Sequence, residues 1–211
     1  MRPLSIGKRA LLIGAGVLWV AAVGFGMRRV LRYESTPGAL ADAGQTWPVG
    51  STLKRTPGQP TLVVLAHPQC VCTRASLSEL NVIMQRFHGR LMAYVLYVQP
   101  HEMPESWVQS DSWRTAQDIP GVVVMIDRDG VEAKQFRGYT SGQTLVYDAD
   151  GHLLYNGGLT AARGHEGDNA GRRAVIALLN GEARGPLVHN VFGCLLFSAD
   201  ENARLGMGEG S

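Results

Sequence analysis

Three cysteines are the only thiols in this 211-residue chain, and two of them stand one residue apart in "LAHPQCVCTRAS" (65–76). Cys70-Val71-Cys72 is too tight for an ordinary structural cross-link and too short for a standard zinc half-site. The pair falls between an apolar run, "TLVVLAH" (61–67), and "TRASLSELNVIMQRF" (73–87), whose Leu77, Leu80, Ile83, Met84 and Phe87 recur at helical spacing. A thiol at a helix start meets unpaired backbone N–H groups and the positive end of the helix dipole. Both favour the thiolate, which is the nucleophile and the metal ligand. Arg74 and His67 are placed to add positive charge. A Cys70–Cys72 disulfide would close a small, strained and easily reduced ring. Alternatively Cys194, in "VFGCLLF" (191–197), resolves a mixed disulfide if the tail folds back; otherwise it packs as a small hydrophobe. Soft paired thiolates beside an imidazole also suit Cu(I), with Cys70, Cys72, His67 and His165 as the ligand set.

The elements around the pair must hold it at a strand end. "RLMAYVLYV" (90–98) and "GVVVMID" (121–127) read as further buried strands, and 101–118 as a helical insertion. A short helix, "VEAKQF", precedes a hairpin, "QTLVYDADGHLLYNGG" (143–158), turning at Asp150-Gly151. Asp168 or Asn169 caps a last helix ended by Gly181. Strand–helix–strand units closed by a hairpin predict a mostly parallel α/β sheet with an antiparallel finish and helices on both faces. The aspartates at 127, 129, 148 and 150 read as turn formers.

Residues 10–27, "ALLIGAGVLWVAAVGFGM", form an 18-residue stretch without a charge between Lys8-Arg9 and Arg28-Arg29. As a helix it would be about 27 Å long, close to the hydrocarbon thickness of a bilayer. That length favours an uncleaved anchor over a signal peptide, whose apolar region is shorter. The expected organisation is an anchor at 1–33, a Pro/Gly-rich linker and lead-in at 34–59 on which Trp47-Pro48 docks, a domain at 60–195, and a flexible tail at 196–211. A net charge of +2, with no Lys/Arg cluster beyond the N-terminus, argues against nucleic-acid binding.

"TLVVLAHPQCVCTR" resembles the active-site strand and loop of thioredoxin-fold proteins, and "VVVMIDRDGVEAKQFRGYTSGQTLVYDADGHLLYNGG" is similar to their membrane-anchored TlpA-type and peroxiredoxin-type branches. The "HPxCxC" and "GGLTAARGHEGDNAG" segments look like RedB-type proteins. The resemblance implies a thioredoxin-like fold, a central mixed sheet flanked by helices, behind an N-terminal transmembrane helix. It places Cys70 at the attacking cysteine, Thr73 at the usual resolving cysteine and Arg74 at the basic position. It implies thiol–disulfide exchange without a cofactor, with a thiol- or disulfide-bearing protein partner. The location it implies is the bacterial inner membrane, single-pass, with the domain in the periplasm or another extracytoplasmic space.

Two positions depart from that pattern. Gln143-Thr144 stands where the family has a cis-proline dipeptide facing the cysteines, and a trans bond is expected there. The Thr-x-x-Cys of peroxiredoxins is also missing, because His67 stands three residues before Cys70. A Cu(I)-binding metallochaperone and a non-catalytic interaction module remain the alternatives to exchange.

Overall fold

The computed structural model describes residues 6–198. The chain divides after Thr36 into two units. In the first, helix α1 (Ile6–Ser35) is 30 residues long, with a mean hydropathy of 2.1 over its most apolar window. It is long and apolar enough to cross a membrane. Its apolar side chains, Leu11, Ile13, Leu18, Trp19 and Phe25 among them, are exposed from end to end.

The second unit is built on a six-stranded sheet. Along the chain come β1 (Thr61–Ala66), α2 (Val71–Arg86), β2 (Met92–Gln99), α3 (Glu105–Val108), α4 (Asp111–Gln117) and β3 (Val122–Arg128). Then follow α5 (Val131–Gln135), β4 (Gln143–Tyr147), β5 (Leu153–Gly158), α6 (Ala170–Leu179) and β6 (Leu187–Val188). The spatial order is β3-β2-β1-β4-β5-β6, with β1, β2 and β3 parallel and the β4–β5 hairpin antiparallel. β1 lies inside the sheet with all six residues buried, which is why it reads as an unbroken apolar run.

Alternation along β1 divides the core. Leu62 and Val64 face Leu77, Leu80, Ile83 and Met84 of α2 and Val175 of α6; Val63 and Leu65 face Phe136, Leu145 and Tyr147. Two anchored faces fix where β1 ends and α2 begins, and so fix the cysteines.

The segment expected as linker is part of this unit from Pro37 onward. Trp47 packs edge-on against Phe136 and Tyr147 at 5.0 and 5.2 Å, while Ala43 and Leu53 are buried. Thr46 bridges His152, and Ser51 and Thr52 both donate to the buried Glu132 carboxylate at 2.7 Å. The segment lacks periodicity because single apolar residues fill separate sockets, not a stripe. The other boundary also moves: Leu196 and Phe197 are buried in the core, beyond the expected end at 195. The rest of the expected tail, 199–211, lies outside the described residues.

Candidate active site

The main chain turns sharply after β1. The Cys70 N–H donates to the His67 carbonyl at 3.2 Å, and the Thr73 N–H donates to the Cys70 carbonyl at 3.1 Å. Cys70 is therefore the N-cap of α2, extended at φ −88°, and its side chain makes no capping bond. That sulfur is directed elsewhere: Cys70 Sγ lies 3.0 Å from Cys194 Sγ, although the two residues are 124 apart in sequence. All three thiols are free.

Cys70 stands between the other two. Hydrogen bonds from Cys194, then from Cys72, hold its thiol well below the usual range, against the opposing effect of burial. Cys72 and Cys194 are pushed up, each first by its hydrogen bond to Cys70 and then by burial. Of the three sulfurs, Cys70 is the one held toward the thiolate. Burial lowers His67, so the neighbouring ring favours its neutral form and is no imidazolium partner. Its Nδ1 accepts from the Gln69 N–H at 3.3 Å and its edge meets Trp107. Arg74 is exposed on α2; the guanidinium acting on the thiols is that of Arg163, which favours the Cys194 thiolate and donates to the Gly193 carbonyl.

Removing one donor tests this arrangement. Cys72→Ala should leave the Cys70–Cys194 contact but move the pH midpoint of Cys70 alkylation upward by about one unit, the worth of one hydrogen bond to a charged group. The sign follows from the thiolate being the reactive form, so alkylation of the variant slows on the acid side. An unmoved midpoint, read from iodoacetamide labelling rates, would show that Cys72 does not act on Cys70.

Thr73, at the usual resolving position, is a structural hub. Its hydroxyl donates to the His67 carbonyl at 2.9 Å and lies 2.8 Å from the Ser141 hydroxyl. The His67 N–H reaches both hydroxyls at 3.2 Å. Ser141, not Gln143 or Thr144, faces the cysteines: its N–H donates to the Cys194 carbonyl at 2.8 Å. Gln143 turns into the sheet to bond Asn156 at 2.9 Å, and Thr144 bonds back to Gly142. The Gly142–Gln143 bond, the one before the cis-proline position, is trans, as expected. Ser141 escaped the sequence reading because "YTSGQT" has no apolar pattern; its only local signal is Gly142, held at φ 85°.

The copper set does not gather. Among the described residues, only Asp148, Asp150 and His152 bring three ligand-type atoms within 4.8 Å of one another. Those belong to the β4–β5 turn, where Asp148 Oδ1 accepts from the Asp150 and His152 N–H groups. His165 is exposed in the loop before α6. That loop is pinned from below: the buried Glu79 carboxylate accepts from the Gly167 N–H at 2.6 Å and from Arg172. Asn169, one of the two expected caps, bonds the Arg172 N–H at 2.8 Å. Gly164 of the same loop hydrogen-bonds Cys72 through its backbone.

A mixed sheet flanked by helices, with a cysteine opening the helix after β1, defines a thioredoxin-like fold, here with an N-terminal apolar helix. Two solved structures are similar over most of the chain. One is a hypothetical protein of Sinorhizobium meliloti, 20% identical, covering 78% of this chain and 96% of its own, with a TM-score of 0.57. The other is an uncharacterized conserved protein of Geobacillus kaustophilus, 16% identical, covering 79% and 91%, with a TM-score of 0.56. A looser overlap is with a secreted Mycobacterium tuberculosis disulfide oxidoreductase, 12% identical over 59% of this chain and 83% of its own, with a TM-score of 0.41. No protein-family model matches the sequence, and no curated protein does.

Proposed function

We propose that this protein is a membrane-tethered, extracytoplasmic thiol–disulfide oxidoreductase whose redox pair is Cys70 and Cys194. The observation that carries the reading is the 3.0 Å contact between two sulfurs brought together from opposite ends of the domain. In the reducing direction the Cys70 thiolate attacks one sulfur of a partner disulfide. The partner's S–S bond breaks, its first thiolate leaves and is protonated, and a mixed disulfide remains on Cys70. Cys194 then loses its proton and attacks Cys70 Sγ, releasing the partner's second thiolate. Two electrons pass to the partner, and the dithiol becomes the Cys70–Cys194 disulfide. The same steps in reverse oxidise a partner dithiol. Cys72 serves as a donor to the charged sulfur; Cys194, which faces it from another segment, is the resolving thiol. Helix α1 keeps the domain at the outer face of the inner membrane, where disulfides persist.

The test is to oxidise the full-length, detergent-solubilised protein with a mild thiol oxidant, digest it and map its cross-links by mass spectrometry. The expected product joins Cys70 to Cys194 and is reopened by a dithiol reductant. A Cys70–Cys72 link would move the resolving role to Cys72. Retention of one Cu(I) that shields Cys70 and Cys72 from alkylation would overturn the redox reading.

A further inference from the structure

The loop between β5 and α6, residues 159–169, contains neither strand nor helix, yet it is fixed along its length. Leu159 and Thr160 are buried, the His165 N–H closes a turn on the Ala162 carbonyl at 3.3 Å, and Gly167 is held by Glu79. The turn brings two consecutive residues to two different thiols. Gly164, at φ 70°, lies where a Cβ would meet Val71 Cγ2 at 3.4 Å, and its backbone hydrogen-bonds Cys72. Arg163, half-buried, reaches with its guanidinium to the carbonyl of Gly193, the residue before Cys194. The other side of that segment is fixed by main chain. The Ser141 N–H donates to the Cys194 carbonyl at 2.8 Å and the Leu196 N–H to the Tyr139 carbonyl at 2.9 Å. Gly193 fits so closely there that a Cβ would stand 1.8 Å from the Ser141 carbonyl oxygen.

In the free dithiol Cys194 is kept protonated, first by Cys70 and then by burial, while Arg163 acts in the opposite sense. That balance changes once a partner is bonded to Cys70. The mixed disulfide carries no charge at Cys70, and the guanidinium remains. Resting on the redox reading above, we infer that Arg163 is the positioning residue of the resolving step: tied to Gly193, it keeps a positive charge near Cys194 and stabilises that sulfur as attacking and as departing thiolate. In the reducing direction Cys194 gives its proton to solvent and its thiolate attacks Cys70 Sγ in line with the partner sulfur. The bond to the partner breaks, and the partner thiolate leaves with the electron pair and takes a proton from solvent. In the oxidising direction a partner thiolate attacks Cys70 Sγ from the side opposite Cys194, and Cys194 departs with the pair of the Cys70–Cys194 bond. Thiols of lower pKa leave faster, so the same guanidinium directs attack to Cys70 and release to Cys194.

A symmetrical chromogenic aryl disulfide reads both steps in one rapid-mixing trace of the full-length protein in detergent. Attack by Cys70 releases the first coloured thiolate, and attack by Cys194 on the mixed disulfide releases the second. Cys194→Ala should keep the first release and lose the second. Arg163→Gln, which removes the charge, should leave the first phase in place, since Cys70 is governed by Cys194, Cys72 and burial. It should move the pH midpoint of the second phase upward by about one unit, the low end of what a nearby opposite charge does. Below both midpoints the second phase should slow about threefold, because an about tenfold smaller thiolate fraction is partly offset by the greater nucleophilicity of a more basic thiol. Above both midpoints the variant should be the faster protein. Arg163→Lys keeps a positive charge and should keep the midpoint of the unaltered chain. A residue that only braced the Gly193 segment would slow the second phase equally at every pH. That result, or an unmoved midpoint in Arg163→Gln, would overturn the inference. A midpoint raised by about one unit in Arg163→Lys, although the charge is kept, would overturn it too, and this arm decides if Arg163→Gln fails to fold. A second release that persists in Cys194→Ala, or no release at all from the unaltered chain, brings down the redox pair and this inference with it. A second phase that needs Cys194 but keeps one midpoint in every protein brings down the inference alone.

Discussion

Replacing Cys70 with Ser is expected to bring exchange with any partner disulfide to background, a loss of at least about 10³-fold, as removal of a nucleophile commonly gives. The size follows from what converges on that one sulfur. It sits at the N-terminus of α2, 3.0 Å from the Cys194 sulfur, and hydrogen bonding with Cys194 and then Cys72 holds it toward the thiolate against the effect of burial. A serine hydroxyl in the same place stays protonated and cannot form or leave a disulfide. The companion variant, Cys72→Ser with Cys194→Ser, keeps two hydroxyl donors and the Cys70 nucleophile but removes every resolving thiol. It should accumulate a stable mixed disulfide on Cys70 that non-reducing electrophoresis or intact mass reveals. A Cys70→Ser protein that still exchanges at the rate of the unaltered chain would remove Cys70 from the mechanism.

Much of the scaffold around Cys70 could be read from local pattern. The apolar run ending at Ala66, the helical spacing of Leu77, Leu80, Ile83 and Met84, and the Asp150-Gly151 turn each report a constraint that acts within a few residues. The helix start was read at Thr73 where α2 opens at Val71, because Cys70 makes no side-chain capping bond that would mark it. The meeting of Cys70 with Cys194 was open in the sequence because it is not local. It depends on a two-bond pairing between 139–141 and 194–196, with partners more than fifty residues apart and flanks that show no strand period. β6, two residues long, has no period to read at all. Trp47 shows a middle case: its docking was anticipated, while the burial of Ala43 and Leu53 beside it was not, since isolated apolar residues in a glycine- and proline-rich stretch resemble a linker. The resemblance to the thioredoxin fold placed Gln143-Thr144 opposite the thiols by alignment. The backbone instead turns at Gly142, two residues bring Ser141 to that position, and Gln143 is left bonding across the hairpin.

Glu79→Ala should lower the unfolding free energy by about 3 kcal/mol, the low end for breaking a buried ion pair from one side. Glu79 is 2% exposed, and its two oxygens serve different elements, Oε2 the Arg172 guanidinium on α6 and Oε1 the Gly167 N–H in the preceding loop. Alanine leaves that N–H without its acceptor. Arg172, whose side chain is 17% exposed, then keeps only the longer 3.4 Å contact to Asp168. The effect should reach the thiols, because the same loop presents Gly164 to Cys72 and Arg163 to the Gly193 carbonyl. Denaturant titration of the full chain in detergent measures the first effect, and the alkylation rate of Cys72 under native conditions measures the second. A Glu79→Leu, Arg172→Leu double variant separates the causes. Removing both charges from the same site should recover most of the stability, as replacement of buried pairs by apolar residues does, but should leave Cys72 more reactive than in the unaltered chain, since the Gly167 N–H is still unpaired and the loop is still loose. A Glu79→Ala protein within about 0.5 kcal/mol of the unaltered chain, the range of surface substitutions, would show that this pair neither holds the loop nor guards the buried thiol.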